Sequence, residues 1–152
     1  MPSALAKNYG LTVLSPLILA DGVRTALGAR LRAIPDGPDS PWATLPMVHL
    51  ARFAVIDDLP YISRGKSGMH PRRRPELLRR PYLMFTADID GRRDDFLDAM
   101  CLELPGFVQS VWSHCEGFPG TERTVFWRKY VEACEIETTF LFADYPGRSV
   151  EE

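Results

Sequence analysis

Two apolar runs, MVHLARFAVIDD at 47–58 and PYLMFTADID at 81–90, constrain this chain more than any other feature. Each is bounded by proline and aspartate, and each is too short and too rich in β-branched or aromatic residues for a helix. Both are therefore predicted strands, the two arms of one hairpin. The insert between them, residues 59–80, holds seven basic residues (Arg64, Lys66, Arg72, Arg73, Arg74, Arg79, Arg80) against the single acid Glu76. In a chain of net charge −2 the insert stands at +6 and everything else at −8. Such a segment reads either as a solvated hairpin loop or as a docking arm for an anionic partner. Its fragment RGKSG is no phosphate-binding loop, because the first glycine that motif needs falls on Pro60 and no strand-to-helix context surrounds it.

The other elements follow from periodicity and punctuation. After a loose arm at 1–9, LTVLSPLIL following Gly10 predicts a first strand. Asp21 is placed to cap a helix from Gly22, whose apolar positions Val23, Ala26, Leu27, Leu31 and Ile34 recur at helical spacing until Pro35. The loop PDGPDSPWATLP at 35–46 should fold Trp42 and Leu45 back onto the core. Behind the hairpin, a helix opens at Asp90 or Gly91 with Asp94 and Asp95 in its first turn, breaks or kinks at Pro105 and Gly106, and resumes through Cys115 to a stop at Gly117. A short helix at 124–133, a last strand at 136–143 and a loose tail at 146–152 complete the chain.

With 152 residues, one domain with one core is expected. A net charge of −2 argues against a general nucleic-acid binder. No run approaches the ~20 apolar residues of a membrane helix, and no basic stretch precedes an apolar one at the start, so a cytoplasmic protein is expected. Cys101, Cys115 and Cys134 are odd in number and without regular spacing, which suits free buried thiols.

The order is α+β, strand, helix, strand, strand, helix with an extra short helix, strand. This βαββαβ succession is the ferredoxin-like arrangement, an antiparallel sheet covered by helices on one face, with strands one and three central and strand two at the edge. Strand two is apolar on both sides, with Val48, Leu50, Ala54 and Ile56 on one and Ala51, Phe53 and Val55 on the other. An edge of that kind aggregates unless covered, and a second subunit packed sheet against sheet would cover it. In this element order, and in the blocks VHLARFAVIDD, LMFTADIDG and VWSHCEGFPG, the chain resembles the dimeric α+β barrel superfamily over about residues 10–145. The resemblance implies a homodimer and small-molecule chemistry of the kind found in monooxygenases, polyketide cyclases and isomerases of secondary metabolism. The superfamily's enlarged members bind haem, which here would have to use His49 or His114 as axial ligand.

His49, Arg52 and Asp88 are the candidate catalytic residues: an imidazole suited to moving protons near neutral pH, a guanidinium suited to an enolate or carboxylate, and a carboxylate. Strict alternation puts His49 and Arg52 on opposite faces of their strand unless a bulge intervenes. Tyr82, Met84, Thr86, Trp112 and His114 are the candidate substrate-binding residues, with Tyr82, Met84, Thr86 and Asp88 on the face of strand three turned away from the helices. His114, Cys115 and Glu116 diverge too much on a helix to bind a metal, and no metal is expected. The expected function is a cofactor-independent enzyme, of cyclase, isomerase or monooxygenase type, acting by proton transfer on a hydrophobic aromatic or polyketide-like molecule. The alternative is a non-catalytic module that docks an acidic partner through the basic loop at 64–80.

Overall fold

The computed structural model describes residues 8–58 and 77–137. Its elements are β1 (Asn8–Pro16), α1 (Val23–Arg32), two short 3-10 turns at 37–39 and 41–44, β2 (Val48–Asp58), β3 (Leu77–Asp90), α2 (Arg93–Glu103), α3 (Pro105–Trp112) and α4 (Thr124–Cys134). The strands form an antiparallel sheet in the order β1-β3-β2, with β3 between the other two.

Alternation along the strands decides what the sheet buries. Leu11, Val13, Ser15 and Leu17 at the β1 end of the sheet and Leu83, Phe85, Ala87 and Ile89 of β3 are buried on the side that carries the helices. Ala51, Phe53 and Val55 join that side from β2, opposite Ala87, Phe85 and Leu83. An aromatic chain runs through the layer between sheet and helices. Phe85 stacks on Phe53 and Trp42 at centroid distances of 4.9 and 5.5 Å and meets Trp112 edge-on at 5.3 Å, and Trp112 meets Trp127 edge-on at 5.2 Å. Trp42 and Leu45 thus pack back from their loop, where the Ser40 hydroxyl accepts a hydrogen bond from the Trp42 backbone N–H at 3.3 Å.

Several boundaries differ from expectation. Helix α1 starts without help from Asp21; its N-cap is Gly22, at φ 82, a left-handed conformation that suits glycine. Gly22→Ala should therefore cost about 1 kcal/mol in a denaturant titration, although nothing lies within 4 Å of the added methyl group. Strand β3 begins at Leu77, so Leu77, Leu78, Arg79 and Arg80 belong to the hairpin arm and not to the insert, Asp58 being the register partner of Leu77. The remaining insert, with Arg64, Lys66 and Arg72 to Arg74, lies outside the described residues.

Pro105 separates α2 from α3, as its missing N–H and the restricted residue before it require. Helix α3 ends at Trp112, five residues before Gly117, because the chain after it turns to pair with the end of β1: Cys115 bridges Leu17, and Glu116 N–H donates to the Pro16 carbonyl at 2.8 Å. His114, Cys115 and Glu116 are therefore not the end of a helix. At the other end of the same β1 edge, Glu135 bridges Val13 and the Ile136 N–H donates to the Thr12 carbonyl at 2.8 Å. The last strand expected at 136–143 lies outside the described residues beyond 137. None of the described helices is long and apolar enough to cross a membrane.

All three cysteines are free, Cys101 and Cys115 buried and Cys134 partly so. Burial, with Cys134 nearby, pushes the Cys115 thiol from 9.0 up to about 12. Its folded form keeps the proton while the unfolded thiol gives it up, so its stabilising contribution is complete below pH 9.0 and disappears as the pH climbs to about 12. Urea titrations at stepwise higher pH should show that decline, and Cys115→Ala should lessen it, the buried Cys101 thiol, pushed up to about 11, and Cys134 keeping the rest.

Candidate functional site

The face of the sheet turned away from the helices is built from four rungs that cross all three strands. They are Gly10–Asp88–Leu50, Thr12–Thr86–Arg52, Leu14–Met84–Ala54 and Pro16–Tyr82–Ile56. The first two are polar and the last two apolar, so the face is divided along its length. Leu50 is 46% exposed, and both Arg52 and Asp88 are exposed without an ion-pair partner among the described residues. Arg52 accordingly needs no buried counterion; solvent meets its charge.

The register of β2 slips between Val48, opposite Ile89, and Leu50, opposite Asp88, so His49 is the extra residue of a β-bulge. Val48 consequently sits on the helix side, packed against the core, and not in a row with Leu50, Ala54 and Ile56. The bulge also settles the imidazole. His49 Nε2 lies 2.7 Å from Asp90 Oδ1, and Asp90 continues the row of Met84, Thr86 and Asp88 by strand alternation. His49 and Arg52 thus serve one face after all. With Nε2–H donating to the Asp90 carboxylate, Nδ1 has no hydrogen-bond partner among the described residues.

Asp90, expected with Gly91 at the opening of the next helix, is instead the last residue of β3, and α2 starts at Arg93. The pairing of β3 extends through it, with Asn8 as its partner on β1. Asn8 Oδ1 and Asp90 Oδ2 are both buried acceptors with no hydrogen-bond donor among the described residues. From the Asp90 position to the Thr86–Arg52 rung is four residues, on the order of 13 Å along a strand.

Of the other expected site residues, Tyr82, Met84 and Thr86 lie on this face. Trp112 does not. It is 1% exposed in the core on the helix side, against Phe53, Phe85 and Trp127. His114 is half-buried at the end of β1, with Nδ1 3.1 Å from the Val111 carbonyl oxygen and its own carbonyl accepting from Ile18 N–H. It stands apart from His49, beyond the apolar rungs. At that far end Arg80 Nη1 donates to Glu116 Oε2 at 2.5 Å.

A second polar cluster lies at the start of β1, where the Tyr9 hydroxyl and Arg93 Nη1 donate to the two oxygens of Glu135 at 2.5 and 2.7 Å. Desolvation, reinforced by Glu135, pushes Tyr9 up to about 12, and the hydrogen bond to Glu135 favours the charged form of Arg93 further. A cleft of about 470 Å³ opens beside it, lined by Asn8, Tyr9, Arg93, Glu132, Glu135 and Glu137. Through these two bonds to Glu135, with Arg93 Nε donating to Asp94 Oδ1 at 3.0 Å, this cluster ties β1, α2 and the end of α4 together. No group of three or more His, Cys, Asp or Glu able to hold a metal ion occurs among the described residues.

Comparison with protein families, with curated proteins and with solved structures gives no match for this chain.

Proposed function

We propose that this protein is a cofactor-independent enzyme that moves a proton on a hydrophobic aromatic or polyketide-like molecule, acting as a homodimer of ferredoxin-like subunits. The observation that carries this reading is the His49–Asp90 pair, 2.7 Å apart, set by a bulge at the polar end of a sheet face whose other half is apolar. The apolar body of a substrate would lie on Leu14, Met84, Ala54, Ile56 and Tyr82. His49 Nδ1 would take a proton from an acidic C–H or O–H, Asp90 steadying the imidazolium that forms, and Arg52 would stabilise the enolate or phenolate left behind. Return of that proton to a different atom completes an isomerisation; attack of the enolate carbon on a carbonyl carbon of the same molecule, with the proton passed to the new alkoxide, completes a cyclisation. The two orphaned acceptors, Asn8 Oδ1 and Asp90 Oδ2, suit a hydroxyl on the substrate beside the base.

The ferredoxin-like assignment is supported by the antiparallel contact that Glu135 and Ile136 make along the outer edge of β1, where the fourth strand of that arrangement lies. A second subunit is supported by the face itself. His49 is exposed and needs cover to work in a low-dielectric site, and Arg52 and Asp88 are opposite charges on neighbouring rungs with no partner of their own. Were a two-fold axis to bring Arg52 of one subunit near Asp88 of the other, the reverse contact would form too, as an isologous interface demands. Met84→Asp places a charge in the middle of this face, and sedimentation should then find monomer where the unaltered protein is a dimer. A dimer that survives the change would place the interface elsewhere.

Function is tested by proton exchange, which needs no knowledge of the product. In D₂O, the protein should speed deuterium incorporation into two- and three-ring 1,3-diketones and naphthols, followed by NMR, by roughly 100-fold or more over buffer. Exchange at the buffer rate across such a set would remove the enzymatic reading.

A further inference from the structure

The chemistry of the sheet face leaves a buried group of thiols and hydroxyls on the helix side unused. Two segments reach the outer edge of β1 from different parts of the chain: Cys115 bridges Leu17 after the end of α3, and Glu135 bridges Val13 directly after α4. Ser15 lies midway between those two bridges and is 0% exposed. Cys115 and Cys134 flank it, one from each segment. The Tyr130 hydroxyl, one turn before Cys134 on α4, stands beside both thiols, and the Ser15 hydroxyl stands beside Cys134 and Tyr130.

The hydroxyls mark this group as more than packing. Ser15 Oγ and the Tyr130 hydroxyl are both buried, and neither has a hydrogen-bond partner among the described residues. Such groups are costly to leave unpaired. Each is a donor placed next to sulfur, and a hydrogen bond from either favours the thiolate over the thiol. Burial works the other way and disfavours a bare thiolate. A thiolate bound to a soft metal ion meets both conditions, because the ion shares its charge and the hydroxyls can donate to the sulfur.

Donor number narrows the choice of ion. No third His, Cys, Asp or Glu joins the two cysteines among the described residues, which excludes the four-coordinate sites that zinc takes. Thiolate softness selects copper(I), for which two sulfurs suffice. Cys134 is only partly buried and gives such an ion a way in, whereas Cys101 stands elsewhere, on α2.

We propose that Cys115 and Cys134 hold a single soft monovalent metal ion, copper(I), in two-coordinate form, with Ser15 and Tyr130 as positioning residues that donate hydrogen bonds to the sulfurs. On binding, two S–metal bonds form and both thiol protons leave to solvent, so that Cu⁺ and two thiols become a Cu(SR)₂⁻ unit and two H⁺. The two hydroxyl donors offset the negative charge that remains. The ion thereby ties the end of α4 to the turn after α3 across the edge of β1.

The test uses the full chain, reduced and free of oxygen, titrated with copper(I) against a chromogenic copper(I) chelator. The protein should withhold one equivalent from the chelator, X-ray absorption should find two sulfur neighbours, and thermal unfolding should move up with the ion bound. Cys134→Ser should abolish the withholding and, at a partly exposed position, keep the fold. Ser15→Ala and Tyr130→Phe leave both sulfurs in place and should each weaken binding by roughly 10- to 100-fold. Ser15→Ala should leave the metal-free protein no less stable, since it removes an unpaired hydroxyl. Cys101→Ser should change nothing. No copper(I) withheld by the unaltered protein, equal withholding by Cys134→Ser, binding lost with Cys101→Ser, or an affinity indifferent to both hydroxyl variants would each overturn the proposal.

Discussion

Trp112→Ala should lower the free energy of unfolding by about 3–5 kcal/mol, more than any other single truncation on the helix side of the sheet. The indole is 1% exposed and joins the two halves of the aromatic layer, touching Phe53 and Phe85 on the sheet and Trp127 on α4 at centroid distances of 5.6, 5.3 and 5.2 Å. Its Nε1 has no acceptor among the described residues, so truncation forfeits packing and apolar burial but no hydrogen bond. The cavity would lie between rigid elements, β3 on one side and α4 on the other, which cannot both close over it. Urea denaturation followed by tyrosine and residual tryptophan fluorescence measures the loss. Leu102→Ala, at a position 71% exposed on α2, is the control and should stay within about 0.5 kcal/mol. A Trp112→Ala protein as stable as the control would mean that the aromatic layer is not the core.

His49→Asn should reduce catalysed deuterium exchange by about 100- to 10,000-fold, the range that a positioned general base contributes. Asparagine can still hydrogen-bond Asp90 but offers no basic nitrogen, so the variant separates proton transfer from simple support of the bulge. His49 is exposed and makes one side-chain contact, to Asp90, so the fold should be indifferent to the change and the melting temperature should hold. Asp90→Asn is expected to fall between the two: the base survives, but its tautomer and orientation are no longer imposed by a carboxylate. A His49→Asn protein that exchanges at the unaltered rate would assign the chemistry to another group.

The central hairpin was legible because burial on one face imposes a period of two on β3, and Leu83, Phe85, Ala87 and Ile89 display it without interruption. Strand β2 was legible as a strand and in its facing from Leu50 to Ile56, but not at its start, where Val48 and His49 differ from expectation. A bulge shifts every residue on one side of it by one, and nothing in VHLARF marks His49 as the extra residue; the slip shows only in its pairing with Ile89 and Asp88. Asp90 was hidden for a related reason, since an acid before glycine reads locally as a helix start, whereas its pairing with Asn8 is a contact across most of the chain. Trp112 illustrates the converse error. It and His114 were both expected at the substrate site, yet α3 ends between them and turns one into the core and the other to the end of β1.

One measurement bears most directly on the proposed site: an NMR titration of the labelled protein with a two-ring 1,3-diketone. Binding at the sheet face turned away from the helices, between it and the second subunit, should shift the amides of Thr86, Met84 and Arg52 together with the His49 ring nitrogens, and the His49 spectrum should show a proton on Nε2 and a free Nδ1. Shifts confined to the helix side or to the cleft at Tyr9 and Glu135, or a His49 ring with its proton on Nδ1, would contradict the assignment.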